Sequence, residues 1–258
     1  MKKRGTSIQI EVPFFMSEAK YKTSYKVRLA DANEQAKLKI PSLFEMLQEV
    51  ATEHANKLGV DFSALSPKGL GWALSKLSIE IQNLPSWNER VHITTWPSVR
   101  ERVATYREFS ALNANNEPLF SARSQWILFD INTRRIVRLE KLHEWALCNE
   151  FANSDTFEEP LERPKTITTS VECNVRNNDI DLNGHVNNSI YVVWAMQALT
   201  SEFLEKNVPQ KIKINFLEEV KFGQNVESIV EIRATETLHS IINADTKKEC
   251  ARLNIQWK

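Results

Sequence analysis

The sequence has few cysteines and glycines, and the cysteine shortage excludes one class of protein. There are only six glycines and three cysteines in 258 residues. The cysteines, Cys148, Cys173 and Cys250, form no CxxC pair and are odd in number, which argues against a disulfide framework. We therefore expect a protein of a reducing, cytoplasmic compartment, in which Cys173 is a small core residue.

Long apolar runs are also absent. No stretch approaches the roughly 18 apolar residues that a membrane helix needs. The apolar residues that follow the basic N-terminus are interrupted by Glu11 and Pro13. We expect neither a membrane span nor a signal peptide.

The chain carries no net charge. Its 33 basic and 33 acidic side chains cancel, whereas a nucleic-acid binder needs a basic surplus to neutralise phosphates. Hydrophobic residues make up 42% of the chain, enough for a folded core. The length of 258 residues fits two units of roughly 100–150 residues each.

The hydrophobic pattern indicates the same order of elements twice. Helical spacing of Leu43, Leu47 and Val50 predicts a helix over 40–59, and an incoming strand ends at Arg28. Strands are predicted after this helix at 70–82, 89–98, 103–112 and 117–130. In the second copy a strand is predicted at 168–175, a helix at 187–207, and strands at 210–220, 226–236, 238–246 and 249–258.

This repetition predicts a duplicated α+β unit. The expected division is an N-terminal unit at 1–140, a linker at 141–169 and a C-terminal unit at 170–258. The linker is polar, and "LHEWALCNE" at 142–150 favours a short surface helix. The second helix is apolar on almost every side from Ile190 to Leu199, so we expect it to be buried under a curved sheet.

A polar segment, "NNDIDLNGHVNNSIYVVW" at 177–194, leads into the second helix. A helix N-terminus carries about half a positive charge and unpaired N–H groups, so it can stabilise an oxyanion. Asp181, Asn183 and His185 alternate there and offer a base or nucleophile, an amide and a proton shuttle. Gly184 permits a tight turn or a close approach to a ligand. The same residue types also make ordinary turns and helix caps.

The first copy carries a plainer version of this segment. The positions that match the alternating trio hold, to about one residue, Asn33, Gln35 and Lys37. The loss of the acid and the histidine favours one catalytic unit beside one binding or scaffolding unit. The sequence shows no HExxH motif, Cys/His cluster, GxSxG elbow or phosphate loop, so we expect no metal and no cofactor.

Four segments, in the same order, resemble the acyl-acyl-carrier-protein (acyl-ACP) thioesterases, tandem hotdog enzymes of plants and bacteria. They are "YKVRLADANEQAKLKIPSLFEMLQEVATEHANKLG", "GWALSKLSIEIQNLPSWNERVHITTWPS", "ARSQWILFDINTRRIVRL" and "DIDLNGHVNNSIYVVW". The resemblance covers most of the chain. It implies two tandem hotdog units, each a long helix wrapped by a curved antiparallel β-sheet, and hydrolysis of fatty acyl-ACP thioesters in fatty acid biosynthesis. The lack of a plant-type transit peptide leads us to expect a bacterial, cytosolic member.

The resemblance also implies catalytic roles. The family's catalytic Asp, Asn and His fall on Asp181, Asn183 and His185. Its catalytic Glu falls on Glu219, with Glu218 as the adjacent alternative. The resemblance leaves open whether Asp181 or Glu219 acts as the base or nucleophile.

Further residues are implied around this set. The expected substrate-binding residues are Gly184, Val186, Asn187 and Asn188, with the helix N-terminus at 186–188 polarising the thioester carbonyl. A cysteine that often follows the catalytic glutamate in the plant enzymes is replaced by Val220, which makes a Cys–His mechanism unavailable.

The implied partner is an acyl carrier protein with a phosphopantetheine-linked acyl chain. This carrier is acidic, so a basic docking face is expected, with candidates Arg100, Arg102, Arg134, Arg135, Lys211 and Lys213. The acyl chain would enter a tunnel near the first helix and sheet.

The protein could act as a monomer or a homodimer. Two other functions stay open, an acyl-CoA thioesterase of the hotdog superfamily and a non-catalytic acyl-binding hotdog protein.

Overall fold

The computed structural model describes residues 19–258, so the expectation that the basic N-terminus is not a signal peptide concerns residues outside the described part. Its α-helices are α1 (Ile40–Lys57), α2 (Phe62–Leu65), α3 (Asn188–Gln197) and α4 (Ser201–Lys206). The strands of the N-terminal half are β1 (Tyr21–Lys26), β2 (Leu70–Ile81), β3 (Arg90–Arg100), β4 (Ala104–Leu112) and β5 (Pro118–Asp130). Those of the C-terminal half are β6 (Thr169–Asn174), β7 (Pro209–Phe216), β8 (Asn225–Ile232), β9 (Glu236–Asn243) and β10 (Glu249–Trp257).

All these strands form one antiparallel sheet in the order β1-β3-β4-β5-β2-β7-β10-β9-β8-β6. Counted outward from the centre, the two halves have the same order of strands. At the centre β2 and β7 pair directly, from Lys76 opposite Asn215 to Glu80 opposite Lys211. The predicted α+β class and the duplication are therefore confirmed, and the two copies share a continuous sheet.

The two long helices, α1 and α3, pack on each other and on the apolar face of the sheet in one core. In α1 the predicted stripe of Leu43, Leu47 and Val50 is buried, and a proline in the first turn suits the start of the helix. In α3 Val192 and Trp194 are at most 1% exposed, which confirms the expected burial. Among residues 19–258, no helix combines the length and the apolar character needed to cross a bilayer.

The second predicted helix differs from the structure. The sequence predicts one helix over 187–207, but α3 ends at Gln197 and α4 starts after Thr200. The hydroxyl oxygen of Thr200 accepts a hydrogen bond from the N–H of Phe203 at 3.2 Å. Such a cap gives the backbone a partner outside the first helix, so a new helix begins there.

The segment that joins the halves packs across the polar face of the sheet. The predicted short helix at 142–150 is wrong, because this stretch has no helical turn beyond residue 142. Its backbone bonds to the N-terminal half instead, where the N–H of Cys148 donates to the carbonyl of Pro97 at 3.0 Å. Further along, Asp155 forms a 2.6 Å ion pair with Lys213 of β7. The segment therefore contacts both halves.

The loops before α1 and α3 have the same backbone hydrogen bonds. In the second copy the N–H of Asp181 donates to the carbonyl of His185 at 2.8 Å. In the first copy the N–H of Asn33 donates to the carbonyl of Lys37, also at 2.8 Å. The two loops therefore align without a gap, and the sequence alignment of this segment is correct to the residue.

Candidate active site

Two loops of the C-terminal half meet at the N-terminus of α3. One precedes α3, and the other connects β7 to β8. The N–H of Val186 in the first loop donates to the carbonyl of Val220 in the second at 3.0 Å. The N–H of Val220 in turn donates to the hydroxyl of Tyr191 in α3 at 3.1 Å. Val220, the position predicted to replace a cysteine, is fully buried and anchors the second loop.

This anchoring places a glutamate against the predicted histidine. The Nε2 atom of His185 lies 3.1 Å from the Oε2 atom of Glu219. Glu219 also forms an ion pair with Arg134, which follows β5 in the other half. Glu218 points elsewhere and pairs with Lys248 at 3.0 Å. Of the two glutamates left open by the sequence, Glu219 is the one that contacts His185.

The environment of His185 favours its neutral form. Burial lowers the pKa of His185 below its ordinary value of 6.5. The positive charges of Arg134 and Lys221 lower this pKa further, and the negative charge of Asp181 opposes them. The imidazole is therefore neutral at pH 7 and has one ring nitrogen that can accept a proton.

The carboxylate of Asp181 is held inside its own loop. Its Oδ1 accepts hydrogen bonds from the backbone N–H groups of Asn183 at 2.8 Å and His185 at 3.3 Å. Its Oδ2 accepts a bond from the side-chain amide of Asn183 at 3.3 Å. These bonds fix the carboxylate within the loop and give the loop its shape. Gly184, at the exposed tip, has a positive φ of 75°.

The helix N-terminus offers fewer free N–H groups than the sequence suggests. The N–H groups of Val186 and Asn187 bond to the carbonyls of Val220 and Asp179, so they are not available to a substrate. The side chain of Asn187 caps α3 by accepting from the N–H of Ser189 at 3.0 Å. Within the described chain, the N–H of Asn188 has no hydrogen-bond partner. Of the three residues expected to stabilise an oxyanion, 186–188, only Asn188 therefore has an N–H group available to a substrate.

An apolar cavity in the N-terminal half reaches the loop before α3 at Asn183. It has a volume of about 150 Å³ between α1 and the sheet and is lined by residues that include Ala51, Trp72, Trp126 and Asn183. A smaller space of about 20 Å³ shares Trp126 and is lined by Phe44, Leu47 and Asn188. Through Asn183 and Asn188, the C-terminal half therefore contributes to both of these spaces in the other half. Across residues 19–258, no group of three His, Cys, Asp or Glu side chains is placed to hold a metal.

The sequence of this chain matches two family models in tandem. The acyl-ACP thioesterase N-terminal domain matches residues 18–143, and the acyl-ACP thioesterase C-terminal domain matches residues 162–258. The chain belongs to the acyl-ACP thioesterase family. This confirms the family expected from the four sequence segments.

Other acyl-ACP thioesterases are similar in sequence or structure. The oleoyl-acyl carrier protein thioesterase of Coriandrum sativum is 26% identical over 84% of this chain and 63% of its own length. The solved 12:0-ACP thioesterase from Umbellularia californica has a TM-score of 0.84 at 18% identity, covering 95% of this chain and 99% of that one. A putative oleoyl thioesterase from Lactobacillus plantarum has a TM-score of 0.80 at 25% identity, covering 93% and 96%.

These similarities establish the fold. The solved acyl-ACP thioesterases have the hotdog fold, so the prediction of two tandem hotdog units is confirmed. This chain spans 56%, 63% and 65% of the length of three curated relatives that it matches.

The six basic residues predicted as an acyl-ACP docking face have different environments. Three of them are engaged with other parts of the fold: Lys211 pairs with Glu80 at 2.8 Å, Lys213 with Asp155 at 2.6 Å, and Arg100 lies 4.2 Å from the ring centre of Trp145. Arg134 pairs with Glu219 at the candidate active site. Arg102 and Arg135 are exposed.

Two residues of this thioesterase family member were missed by sequence reasoning. Tyr191 holds the loop that carries Glu219, and Lys221 influences the pKa of His185. Tyr191 lies in the quoted "NNSIYVVW" stretch, where its apolar neighbours gave it the appearance of a core residue. Lys221 carries no local signal, because its effect depends on the contact between the two loops.

Proposed function

We propose that this protein hydrolyses fatty acyl-ACP thioesters, releasing a free fatty acid and the phosphopantetheine thiol of the carrier. The observation that carries the proposal is the His185–Glu219 pair at the N-terminus of α3, beside an apolar cavity. Membership of the acyl-ACP thioesterase family and the named activities of its relatives support it.

We assign the water-activating role to His185. With its Nε2–H donated to Glu219, the other ring nitrogen is free to take a proton from water as the water oxygen attacks the carbonyl carbon. The N–H of Asn188 stabilises the oxyanion. When the carbon–sulfur bond breaks, the imidazolium returns the proton to the leaving thiolate. No cofactor takes part in these steps.

The two carboxylates then have different roles. Glu219 orients the imidazole and stabilises its charged form. The negative charge of Asp181 opposes the cations near His185 and so keeps the imidazole basic. Asn183, bonded to Asp181 and lining the cavity, positions the thioester at its mouth. Gly184, at the exposed tip of the loop, leaves room for the phosphopantetheine arm.

The two halves have different roles, one in binding the acyl chain and one in catalysis. The N-terminal unit, 1–140, takes the acyl chain into the cavity between α1 and the sheet. The C-terminal unit, 170–258, supplies the catalytic residues, and 141–169 is the linker.

Arg102, Arg135 and Lys221 are exposed basic residues that could contact an acidic carrier. One chain contains both halves of the proposed site, which supports a functional monomer, and sedimentation would detect a homodimer.

Other features bear on where the protein works. Cys148, Cys173 and Cys250 are all free thiols. Free thiols favour a reducing environment, which supports a cytoplasmic location.

A thioester panel tests the function. Acyl-ACP and acyl-CoA of the same chain lengths are supplied at equal concentration, and free thiol release is followed for the full chain and for His185→Ala. We expect faster release from acyl-ACP and a large loss in the variant. Faster release from acyl-CoA would favour the acyl-CoA thioesterase. No release from either class would contradict the proposed activity and favour a binding protein.

A further inference from the structure

A second cleft lies where the duplication repeats the candidate active site. It has a volume of about 600 Å³ and lies between the loop before α1, the end of β2 and the α3–α4 region of the other half. Small-molecule sites typically have volumes of about 300–1,000 Å³. The cleft is therefore large enough for a ligand of substantial size.

Backbone hydrogen bonds establish which residues correspond in the two clefts. The N–H of Leu38 donates to the carbonyl of Pro85 at 2.8 Å, as the N–H of Val186 donates to that of Val220 at 3.0 Å. The residue before Pro85 is Leu84, which lines the second cleft. Leu84 therefore occupies the position that Glu219 holds in the candidate active site.

The loop before α1 also lacks the acid and the histidine of the candidate active site. The second cleft has Asn33, Gln35 and Lys37 where the candidate active site has Asp181, Asn183 and His185. Among the described residues, no Asp, Glu or His side chain lines the cleft. A water molecule there has no side-chain carboxylate or imidazole to act as a general base, so the second cleft is suited to binding without hydrolysis.

The walls of the second cleft are mainly apolar. Among them are Leu84, Met196 and Trp257, together with the residues Leu204 and Val208, which are 36% and 49% exposed. Apolar side chains that remain exposed along a cleft are typical of a binding surface for an apolar ligand.

The rim of the second cleft is cationic. The exposed Lys37 and Lys39 both line it. Their ammonium groups donate to neutral oxygens, Lys37 to the hydroxyl of Ser86 and Lys39 to the carbonyl of Ala30, each at 3.0 Å. Neither lysine forms an ion pair with a carboxylate of residues 19–258. Two charges without acidic partners beside an apolar wall match an amphiphile with an anionic head.

We propose that this second cleft binds a long-chain fatty carboxylate. Its head contacts Lys37 and Lys39, and its chain lies along Leu84, Met196 and Trp257. No covalent bond is made or broken when the complex forms. The proposal concerns binding alone, so it holds whether or not the other cleft hydrolyses thioesters.

Photolabelling with a diazirine analogue of dodecanoate locates the bound chain. The full protein is irradiated with the probe below its critical micelle concentration, and labelled peptides are mapped. We expect label in the segments 81–84 and 196–210, and much less with the corresponding alcohol probe. Label confined to the cavity around 48–72 and 126, or equal labelling by the alcohol, would overturn the proposal.

A charge-matched pair of variants tests the head group. Lys37→Gln with Lys39→Gln is expected to weaken dodecanoate binding to this cleft about tenfold, the loss that follows removal of two exposed charge pairs. The control, Lys22→Gln with Lys26→Gln on β1, removes the same charge outside the cleft and should bind like the original protein. Unchanged affinity in the first variant would overturn the proposal, as would sedimentation showing that a second copy of the chain covers the cleft.

Discussion

Glu219 and His185 contact each other across the N-terminus of α3, with Oε2 and Nε2 3.1 Å apart. They belong to loops on opposite sides of that helix in the sequence. Tyr191, one turn into α3, binds the backbone of the Glu219 loop and holds the two loops together. The contact is therefore fixed by the packing of the helix.

Replacing Glu219 by glutamine should lower kcat about 100-fold, within the range of general acid–base catalysis. Glutamine keeps the shape of the side chain but loses the charge that stabilises the imidazolium. Glu218→Gln is the matched control, since Glu218 pairs with Lys248 and should leave kcat nearly unchanged. Thiol release from acyl-ACP measures both. Equal losses in the two variants would contradict the assignment.

Substitutions of Asp181 should separate its charge from its role in the loop. Asp181→Asn keeps acceptors for the N–H groups of Asn183 and His185 but loses the charge that keeps the imidazole basic. We expect a kcat at least about tenfold lower and a lower apparent pKa in the pH–rate profile. Asp181→Ala should lose more turnover and also about 1 kcal/mol of stability, through the lost loop hydrogen bonds. An Asp181→Asn enzyme with normal kcat would limit Asp181 to a structural role.

The tips of the two duplicated loops should respond oppositely to exchange of glycine and alanine. Gly184 has φ of 75° and Ala36 has φ of 56°, both in the left-handed region that favours glycine. Gly184→Ala should lower the free energy of unfolding by about 1 kcal/mol, and Ala36→Gly should raise it by up to about 1 kcal/mol. Urea unfolding measures both. A stability change of the same sign in both variants would contradict the explanation.

His239 should make the protein less stable in acid. It is fully buried in β9, with Nε2 2.8 Å from Oγ1 of Thr237. Burial lowers the pKa of His239 to about 3, below its ordinary value of 6.5. Between these values the unfolded chain binds a proton that the folded protein does not, so stability falls as the pH falls below the ordinary value.

The matched variant is His239→Gln, which cannot titrate. Between about pH 7 and pH 5 the original protein should lose about 2 kcal/mol of unfolding free energy more than the variant does. Urea unfolding at both pH values gives this difference. The same pH dependence in both proteins would show that His239 is not the group responsible.

Much of the fold was predictable because the buried face of a helix or strand shows in the sequence as regularly spaced apolar residues. The stripe of Leu43 and Leu47 identified α1, and the apolar run from Ile190 to Leu199 identified a buried helix. The break at Thr200 was not predictable, since threonine is tolerated inside a helix and its capping bond exists only after folding.

Parts of the candidate site were also predictable from the sequence, and other parts were not. The loop of Asp181, Asn183 and His185 was recognisable because its geometry is local. The engagement of the Val186 N–H was not, because its partner Val220 lies far along the chain. The pairing of Arg134 with Glu219 joins the two halves, so no local pattern records it.

The pairing of β2 with β7 at the centre of the sheet has a consequence for how the two clefts could diverge. In a symmetric dimer of identical single units, every substitution appears in both clefts at once. Here two unequal copies lie in one chain, so each cleft accumulates changes by itself. Leucine could settle at position 84 while glutamate stayed at 219, and one ancestral arrangement could give rise to two separate chemistries in a single gene product.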